Sequence, residues 1–228
     1  MDIRPFLLFC FLFIGTTLPA QDALAIADSL ARQGQYAASS EQLLAFIEGH
    51  PDRRFDVARA WWLYARNQRN LGSWSTAYSG NQRSFNERRQ LHSTDIVDNY
   101  LLFAELWLEK DDPEQALSAL EDGFQQMIEN PVRYAALYQL QGEAYSRMGE
   151  YVLADEAFAQ AEAVLSIELG DDSPTLAPLW YAWAGSALRQ GDFDQAARYW
   201  QAVYTQSDEP WLRARALLHL WAYHPLLK

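Results

Sequence analysis

One local turn recurs through the chain at nearly constant spacing, and this repetition limits the fold more than any other feature of the sequence. The residues at the turn are Gly34, Gly72, Asp111, Gly149 and Gly191, separated by 38, 39, 38 and 42 residues. Glycine adopts the left-handed conformation that ends many helices at little cost, and aspartate does so more readily than most residues. Recurrence at this spacing predicts a helical repeat, in which each unit buries its apolar surface against its neighbours.

The clearest copy of the unit spans residues 138–165. Tyr138, Gly142 and Tyr145 share one face of a first helix, and Gly149 ends that helix. A second helix carries an apolar stripe of Tyr151, Ala154, Phe158, Ala161 and Leu165. Because close helix pairing requires small residues at the contact, we expect Ala154 to lie where the two helices cross.

The other copies repeat the order of residues after the turn: a bulky residue or proline, then a small one, then a large one. These triplets are Tyr36, Ser39 and Leu43; Trp74, Ala77 and Asn81; Pro113, Ala116 and Leu120; and Phe193, Ala196 and Trp200. The first helices carry matching pairs: Trp61 and Ala65, Tyr100 and Ala104, and Trp180 and Ala184. The pattern is weakest in the second copy, where Asn81 stands at a position that favours a large apolar residue.

This pattern resembles the tetratricopeptide repeat (TPR), which has aromatic, glycine and tyrosine positions on its first helix and alanine, phenylalanine and proline positions on its second. The spacing exceeds that family's usual ~34 residues, and the link 168–176 is similar to that of the kinesin-light-chain variety. The resemblance implies an all-α fold, a right-handed α-solenoid of about five TPR-like helix pairs plus a C-terminal capping helix. The expected repeats are 22–51, 55–92, 95–131, 132–170 and 174–209, and the C-terminal helix is expected at 210–224.

The start of the chain has the layout of a secretory signal peptide, which we place at residues 1–20. Residues 6–14 form an uninterrupted apolar run of nine residues, too short to span a bilayer. Cleavage after Ala20 would remove Cys10, the only cysteine, and leave 21–228 as one helical domain without a disulfide. The sequence therefore predicts a periplasmic or secreted bacterial protein with no stable membrane insertion after signal cleavage.

Charge is unevenly distributed along the chain. The formal net charge is −12, yet residues 50–92 are rich in arginine and residues 95–172 are rich in aspartate and glutamate. General nucleic-acid binding depends on neutralising phosphates, so we expect no nucleic-acid partner for a net acidic protein. The uneven charge has two interpretations: a solvated outer surface, or a bipolar surface that orients a partner protein.

The sequence contains no recognisable catalytic or metal-binding pattern. No two of the four histidines are three or four residues apart, as a zinc-binding helix would require. The acidic pairs at 111–112 and 171–172 are typical of turns, and no phosphate-binding loop or Gly-x-Ser-x-Gly motif is present. We therefore predict a protein that is not an enzyme and uses no cofactor or metal. Three tryptophans occupy core positions of the repeat: Trp61, Trp180 and Trp200.

The TPR resemblance implies that the first helix of each repeat lines a concave groove, which holds an extended peptide or a helix of another protein. Carried onto this chain, the groove positions of the second repeat are Arg59, Trp62, Arg66, Arg69 and Asn70. Those of the other repeats are Asp28, Arg32, Leu101, Glu105, Glu109, Gln139, Glu143, Arg147, Tyr181 and Arg189. Three arginines of the second repeat follow one side of a helix. Their guanidinium groups can fork onto the carboxylates of a partner; alternatively, they only keep the surface soluble.

Two functions from different classes fit these features. The first is a non-catalytic periplasmic scaffold or adaptor that binds another protein or peptide, for example in a complex of the cell envelope. The second is a self-assembling structural solenoid, whose partner is another copy of the same chain. A soluble receptor for a cell-wall-derived ligand is a third alternative.

The C-terminal helix is apolar over more of its surface than a capping helix requires. Pro210 fits the start of this helix. We expect one stripe to dock on the fifth repeat: Trp211, Ala214, Leu218 and Trp221. A second stripe would then remain uncovered: Leu212, Ala216, Leu220 and Tyr223. Its cover would be a second copy of the chain, a different protein or the tail 225–228, and the first of these predicts self-association through this helix.

Overall fold

The structure, a computed structural model, describes residues 20–126 and 130–223, and every regular element within them is helical. Ten helices form five hairpins: α1 (Ala20–Arg32) with α2 (Tyr36–Gly49), α3 (Arg54–Asn70) with α4 (Trp74–Gln90), α5 (Val97–Glu109) with α6 (Pro113–Phe124), α7 (Pro131–Met148) with α8 (Tyr151–Leu169), and α9 (Ala177–Gln190) with α10 (Phe193–Gln206). Helix α11 (Pro210–Tyr223) packs on α10. This order confirms the all-α repeat solenoid predicted from the sequence.

Two segments named in the sequence predictions, 1–19 of the signal peptide and the tail 225–228, lie outside the described residues. Short 3-10 turns, Thr94–Ile96 and Pro174–Leu176, precede α5 and α9. In the part of the chain that the structure describes, no helix is both long enough and apolar enough to cross a bilayer.

The same turn joins the two helices of all five hairpins. Its central residue has a φ between 58° and 86° in every copy, as predicted for the five recurring positions. The N–H group of the residue directly after the central one then donates to a carbonyl five residues back, as from Glu150 to Tyr145 and from Asp112 to Trp107, both at 3.0 Å. This arrangement is a Schellman motif, which satisfies carbonyl groups that the helix end leaves unpaired. Asp111 shows that aspartate can replace glycine at this turn.

Polar side chains fix where several helices begin. The carboxylate of Asp112 accepts a hydrogen bond from the N–H of Gln115 at 3.1 Å, at the start of α6. The amide oxygen of Asn130 accepts one from the N–H of Val132 at 2.9 Å, at the start of α7. A proline follows each of these capping residues, and its missing N–H costs nothing in the first turn of a helix.

Small residues lie where the two helices of the fourth hairpin approach each other. A Cβ atom added to Gly142 on α7 would lie 2.9 Å from the ring of Phe158 on α8, closer than real side chains approach. Ala154 and Ala161 are completely buried in the same hydrophobic cluster as Phe158. The phase predicted for this repeat is therefore confirmed.

Two of the three tryptophans assigned to the core are buried, and the third is not. The exposed fractions of Trp180 and Trp200 are 6% and 2%. Trp61 is only half-buried, and the guanidinium of Arg83 lies 4.5 Å from the centre of its ring. A cation over an indole face is a favourable contact, so Trp61 covers a charged side chain at the surface instead of filling the core.

The predicted orientation of α11 is wrong. The stripe expected to remain uncovered is the docked one, because Leu212 and Ala216 are buried and Leu220 and Tyr223 pack against the same cluster. The stripe expected to dock points outward, with Trp211, Leu218 and Trp221 largely exposed. Both stripes are apolar, so hydrophobic periodicity alone did not distinguish them.

Candidate peptide-binding groove

The first helices of successive hairpins lie side by side and form one continuous surface. α1 contacts α3, α3 contacts α5, α5 contacts α7, and α7 contacts α9, whereas the second helices of neighbouring hairpins make few contacts or none within the described residues. Closer spacing of the first helices curves the solenoid, so these helices line its concave side. All predicted groove positions lie on them. Which side chains touch a ligand remains a prediction.

Helix α3 contributes two arginines and a tryptophan to this surface. Arg59 and Arg66 are exposed, and neither forms an ion pair with another described residue. Trp62 is half-buried, and the guanidinium of Arg66 lies 4.8 Å from the centre of its ring. The indole N–H of Trp62 donates to the carbonyl oxygen of Asp98 at 3.2 Å. That bond holds the ring in place as a platform for Arg66.

Arg69 belongs to the predicted row of three arginines on α3, Arg59, Arg66 and Arg69, but it is already bound within the chain. Its Nη1 donates to Glu105 at 2.6 Å, and its Nε donates to Glu109 at 2.5 Å. These bonds join α3 to α5, because both carboxylates belong to the next repeat. The row on α3 therefore offers a partner two uncommitted guanidinium groups, those of Arg59 and Arg66, instead of three.

Glu105 and Glu143 place two carboxylates near the middle of the concave surface. Burial raises the pKa of both above the ordinary glutamate value, although Arg69 and Arg66 act in the opposite direction on Glu105. Glu143 accepts a hydrogen bond from the amide of Gln139 at 3.2 Å and has no ion pair with any other described residue. Arg147, Arg189 and Arg69 lower the pKa of Glu143 at longer range, but burial outweighs them, and removing a carboxylate from water without a direct ion pair is unfavourable. Glu143 is therefore well placed to receive a cationic group of a ligand.

Arg147 and Arg189 both reach back to the preceding repeat. Arg147 donates to the carbonyl oxygen of Leu108 at 2.7 Å and to the carboxylate of Asp111 at 3.2 Å. Arg189 donates to the hydroxyl of Ser146 at 3.0 Å, and burial lowers its pKa. These predicted groove residues therefore connect neighbouring repeats as well as lining the concave surface.

Tyr181 lies where α11 closes the far end of the groove. Its hydroxyl is 3.1 Å from Nε2 of His219, and the guanidinium of Arg215 is 5.3 Å from the centre of its ring. Burial lowers the pKa of His219, whose ring stacks on Trp200 at 4.6 Å. The sequence predictions missed His219 and Arg215 because they assigned no groove position to α11. Arg215 follows Tyr181 by one TPR period of ~34 residues, which is the signal that could have located it.

Asn70 lies at the opposite end of the groove, beside a cavity of about 150 Å³ between α1 and α3. Asp28, Arg32 and Arg66 also line this cavity. Asp28 and Arg32 form an ion pair of 2.7 Å. The structure thus brings Asp28 and Arg32 of the first repeat beside Arg66 and Asn70 of the second.

A partly buried polar network that the sequence did not predict lies beside the groove. The guanidinium of Arg88 donates to the carbonyl oxygen of Asp95 at 2.6 Å, and Arg133 binds the carboxylates of Asp95 and Asp98 at 2.6 and 2.8 Å. Burial lowers the pKa of Arg88 and raises that of Asp98. Because the carbonyl oxygen of Asp98 also accepts the indole N–H of Trp62, this network positions part of the concave surface.

Fold and groove together define the class of protein, a helical-repeat solenoid whose concave surface carries both signs of charge. Across 20–126 and 130–223, no three histidine, cysteine, aspartate or glutamate side chains are grouped so that they could hold a metal ion. No protein family defined by sequence and no curated protein matches the chain.

Solved structures identify this solenoid as a TPR fold. A thermophilic TPR protein of Thermus thermophilus is 24% identical with a TM-score of 0.70, and the match covers 89% of this chain and all of that one. Kinesin-light-chain TPR-like repeats of Podospora anserina are 16% identical with a TM-score of 0.61, over 83% of this chain and 96% of the other. The quorum sensor NprR of B. thuringiensis is 15% identical with a TM-score of 0.73, and the match covers 92% of this chain but only 60% of the sensor. The TPR resemblance is thereby confirmed for the fold.

Proposed function

We propose that this protein is a non-catalytic protein-interaction module, which binds a segment of another protein, as a peptide or a helix, along its concave groove. The observation that carries the proposal is the order of charge along the groove. Exposed Arg59 and Arg66 lie on α3, the partly desolvated Glu105 and Glu143 follow on α5 and α7, and further arginines lie beyond them. An extended ligand can pair with Arg59, Arg66 and Glu143 at once, because Glu105 is already bound by Arg69, and repeat solenoids present surfaces of this kind.

Glu143 sets the most specific requirement on the ligand. Its carboxylate lacks an ion pair among the described residues, and burial raises its pKa. A lysine or arginine of the ligand would supply the missing positive charge. Acidic residues of the same ligand would then pair with Arg59 and Arg66, which lie two helices away on α3. The ligand that we propose therefore has a basic centre and an acidic end.

The signal peptide predicted at residues 1–20 supports export, so we place this interaction in the periplasm and the partner among proteins of the cell envelope. Self-assembly is a second candidate function, because α11 exposes two tryptophans, Trp211 and Trp221. That surface differs from the groove. The two functions can therefore be tested separately.

Photo-crosslinking in cells tests groove binding directly. A photoreactive amino acid at Asn70, which is exposed beside the groove, should give a discrete adduct with a partner protein. The same amino acid at Ile167, which is 83% exposed on α8, should not give that adduct, because α8 is a second helix and does not line the groove.

Charge reversal then tests the proposed chemistry. Arg59→Glu with Arg66→Glu should lower the yield of the Asn70 adduct by at least about tenfold and leave the helical circular dichroism unchanged. Arg69 is left intact, because its reversal would break the bonds to Glu105 and Glu109. Arg198→Glu, on the exposed side of α10, is the matched control. If the double variant gave the same yield of adduct as the wild type, these arginines would only keep the surface soluble.

A further inference from the structure

The outer face of α11 is apolar and exposed. Trp211, Leu217, Leu218 and Trp221 have exposed fractions of 57%, 49%, 65% and 80%, and Ala214 and Ala222 are exposed as well. An exposed apolar patch of this kind usually marks an interface. A helix that is apolar on both faces is normally buried on both, and here one face already packs on α10.

Charge is confined to the two edges of this face. Arg213 turns to one edge, where its guanidinium lies 5.5 Å from the centre of the Tyr204 ring. Arg215 turns to the other edge, 5.3 Å from Tyr181. Since α11 contains no aspartate or glutamate, the face itself offers a partner apolar contact without a charge to pair.

The exposed face corresponds to the one that binds a second helix in the preceding repeat. On α9, four residues are buried in a cluster to which α8 and α10 both contribute: Trp180, Trp183, Ala184 and Ala187. The residues that follow them by 34 positions, the usual TPR period, are Ala214, Leu217, Leu218 and Trp221. All four are exposed. The outer face of α11 therefore continues the helix-to-helix interface that holds the hairpins together, and the occupant it fits is another helix.

We propose that this occupant is α11 of a second copy of the chain, packed antiparallel across a two-fold axis at the level of residue 216. The spacing of the exposed residues is self-complementary about that level. In this register Trp211 of one copy meets Trp221 of the other, and Ala214 meets Leu218, so a small residue faces a large one. A two-fold interface requires this reciprocity, because each contact occurs twice. The absence of charge on the face removes the repulsion that would otherwise oppose self-pairing.

The area of the face is sufficient for a reversible dimer. A whole tryptophan contributes up to about 250 Å², so the exposed parts of the two tryptophans and two leucines amount to roughly 500 Å² per copy. A pair would bury about 1,000 Å², which is at the lower end of specific interfaces. We therefore expect a dimer whose population depends on concentration in the micromolar range.

Sedimentation velocity on the signal-cleaved protein, from about 1 to about 100 µM, tests the proposal. The wild type should shift from monomer towards dimer, and Leu218→Glu with Trp221→Glu should remain monomeric throughout with unchanged helical circular dichroism. Ile167→Glu, an equally exposed apolar residue on α8, is the matched control and should dimerise like the wild type. A wild type that is monomeric at every concentration, or a double variant that still dimerises, would overturn the proposal.

Cysteine crosslinking tests the register. The natural Cys10 lies in the predicted signal peptide, so the cleaved chain carries only the cysteine that is introduced. A mixture of Ala214→Cys and Leu218→Cys chains should form an intermolecular disulfide at least about tenfold faster than either chain alone, because each of these positions meets the other across the two-fold axis. Equal rates in all three samples, or a ladder of higher oligomers, would contradict the two-fold packing. Neither result depends on what the groove binds.

Discussion

Asn81 and Asn99 bind each other at a position where the other repeats bury large apolar side chains. The amide of Asn99 donates to the side-chain oxygen of Asn81 at 2.7 Å, and the amide of Asn81 donates to the carbonyl oxygen of Asn99 at 2.9 Å. Arg88 donates to the remaining oxygen of Asn99 at 3.0 Å. Both asparagines are fully buried. Because every member is satisfied, this network replaces apolar packing between α4 and α5 without an unpaired group.

Restoring the apolar pattern at this position should therefore destabilise the protein. Asn81→Leu would remove the side-chain acceptor of the Asn99 amide and the donor to the carbonyl oxygen of Asn99. The amide would keep only its 3.3 Å bond to the carbonyl oxygen of residue 81, and the loss should cost about 1–3 kcal/mol in the free energy of unfolding. Asn86→Leu, at an exposed position of the same helix, should change stability by less than about 0.5 kcal/mol. Urea unfolding of the two variants measures the difference. A stabilised Asn81→Leu would show that the network is dispensable.

Ala154 allows a second test at the scale of a single residue. Its side chain is completely buried between the helices of the fourth hairpin, so Ala154→Leu should overpack the contact and cost roughly 1–3 kcal/mol. Ala163→Leu makes the same substitution on an exposed part of α8 and should be close to neutral. Equal thermal midpoints for both variants would place Ala154 at the surface.

At the scale of helices, α3, α5, α7 and α9 are connected by polar bonds between repeats. Arg69 joins α3 to α5, Arg147 joins α7 to the end of α5, and Arg189 joins α9 to α7. The concave surface thus contains both the groups that hold the repeats together and those left for a ligand. Glu143 belongs to the second set, because its contact within the described residues is a single hydrogen bond from Gln139.

The raised pKa of Glu143 predicts how stability depends on pH. Since the folded carboxyl holds its proton more tightly than the unfolded one, its favourable contribution is complete below the ordinary pKa and is lost as pH rises through the folded value. Glu143→Gln removes this loss. The variant should match the wild type in acid and should become the more stable protein towards neutral pH. Urea unfolding from pH 4 to pH 8 measures both profiles, and parallel profiles would contradict the assigned burial of Glu143.

At the scale of the whole molecule, the C-terminal end of the solenoid buries more large aromatic side chains than the N-terminal end. The cluster shared by α7 to α11 contains Phe158, Trp180, Trp183 and Trp200. The cluster shared by α1, α2 and α3 contains one large aromatic residue, Phe46, among its buried members. In a solenoid each repeat is stabilised mainly by its nearest neighbours, so these two ends should differ in local stability.

Hydrogen exchange followed by mass spectrometry should reveal this difference. Amides of α1 and α2 should open with free energies at least about 2 kcal/mol below those of α8 and α9. The first hairpin packs on a single neighbouring repeat, whereas the fourth packs on two, which is the physical reason for the difference. Uniform protection along the chain would instead indicate that the solenoid unfolds as one cooperative unit.

Much of the fold could be predicted because it depends on residues close together in the sequence. The turn at Gly149 requires a positive φ, and the contact between Gly142 and Phe158 requires a small residue opposite a ring. Both requirements restrict residue type, so both appear in the sequence at regular intervals. The concave helices that carry the candidate site followed from the same repeat pattern, which is why the predicted groove residues lie on the expected helices.

Some residues and surfaces have more than one available partner. For these, only the tertiary structure determined which partner each one contacts. Arg69 belongs to a row of similar arginines, and its commitment to Glu105 and Glu109 depends on how closely α3 and α5 approach. Asn81 contradicts the repeat pattern until Asn99 is placed beside it. Both faces of α11 are apolar, so its helical period fits either orientation, and contact with α10 selected the face that is buried. Sequence patterns specify which residues require a partner, but the arrangement of the helices determines which partner each one has.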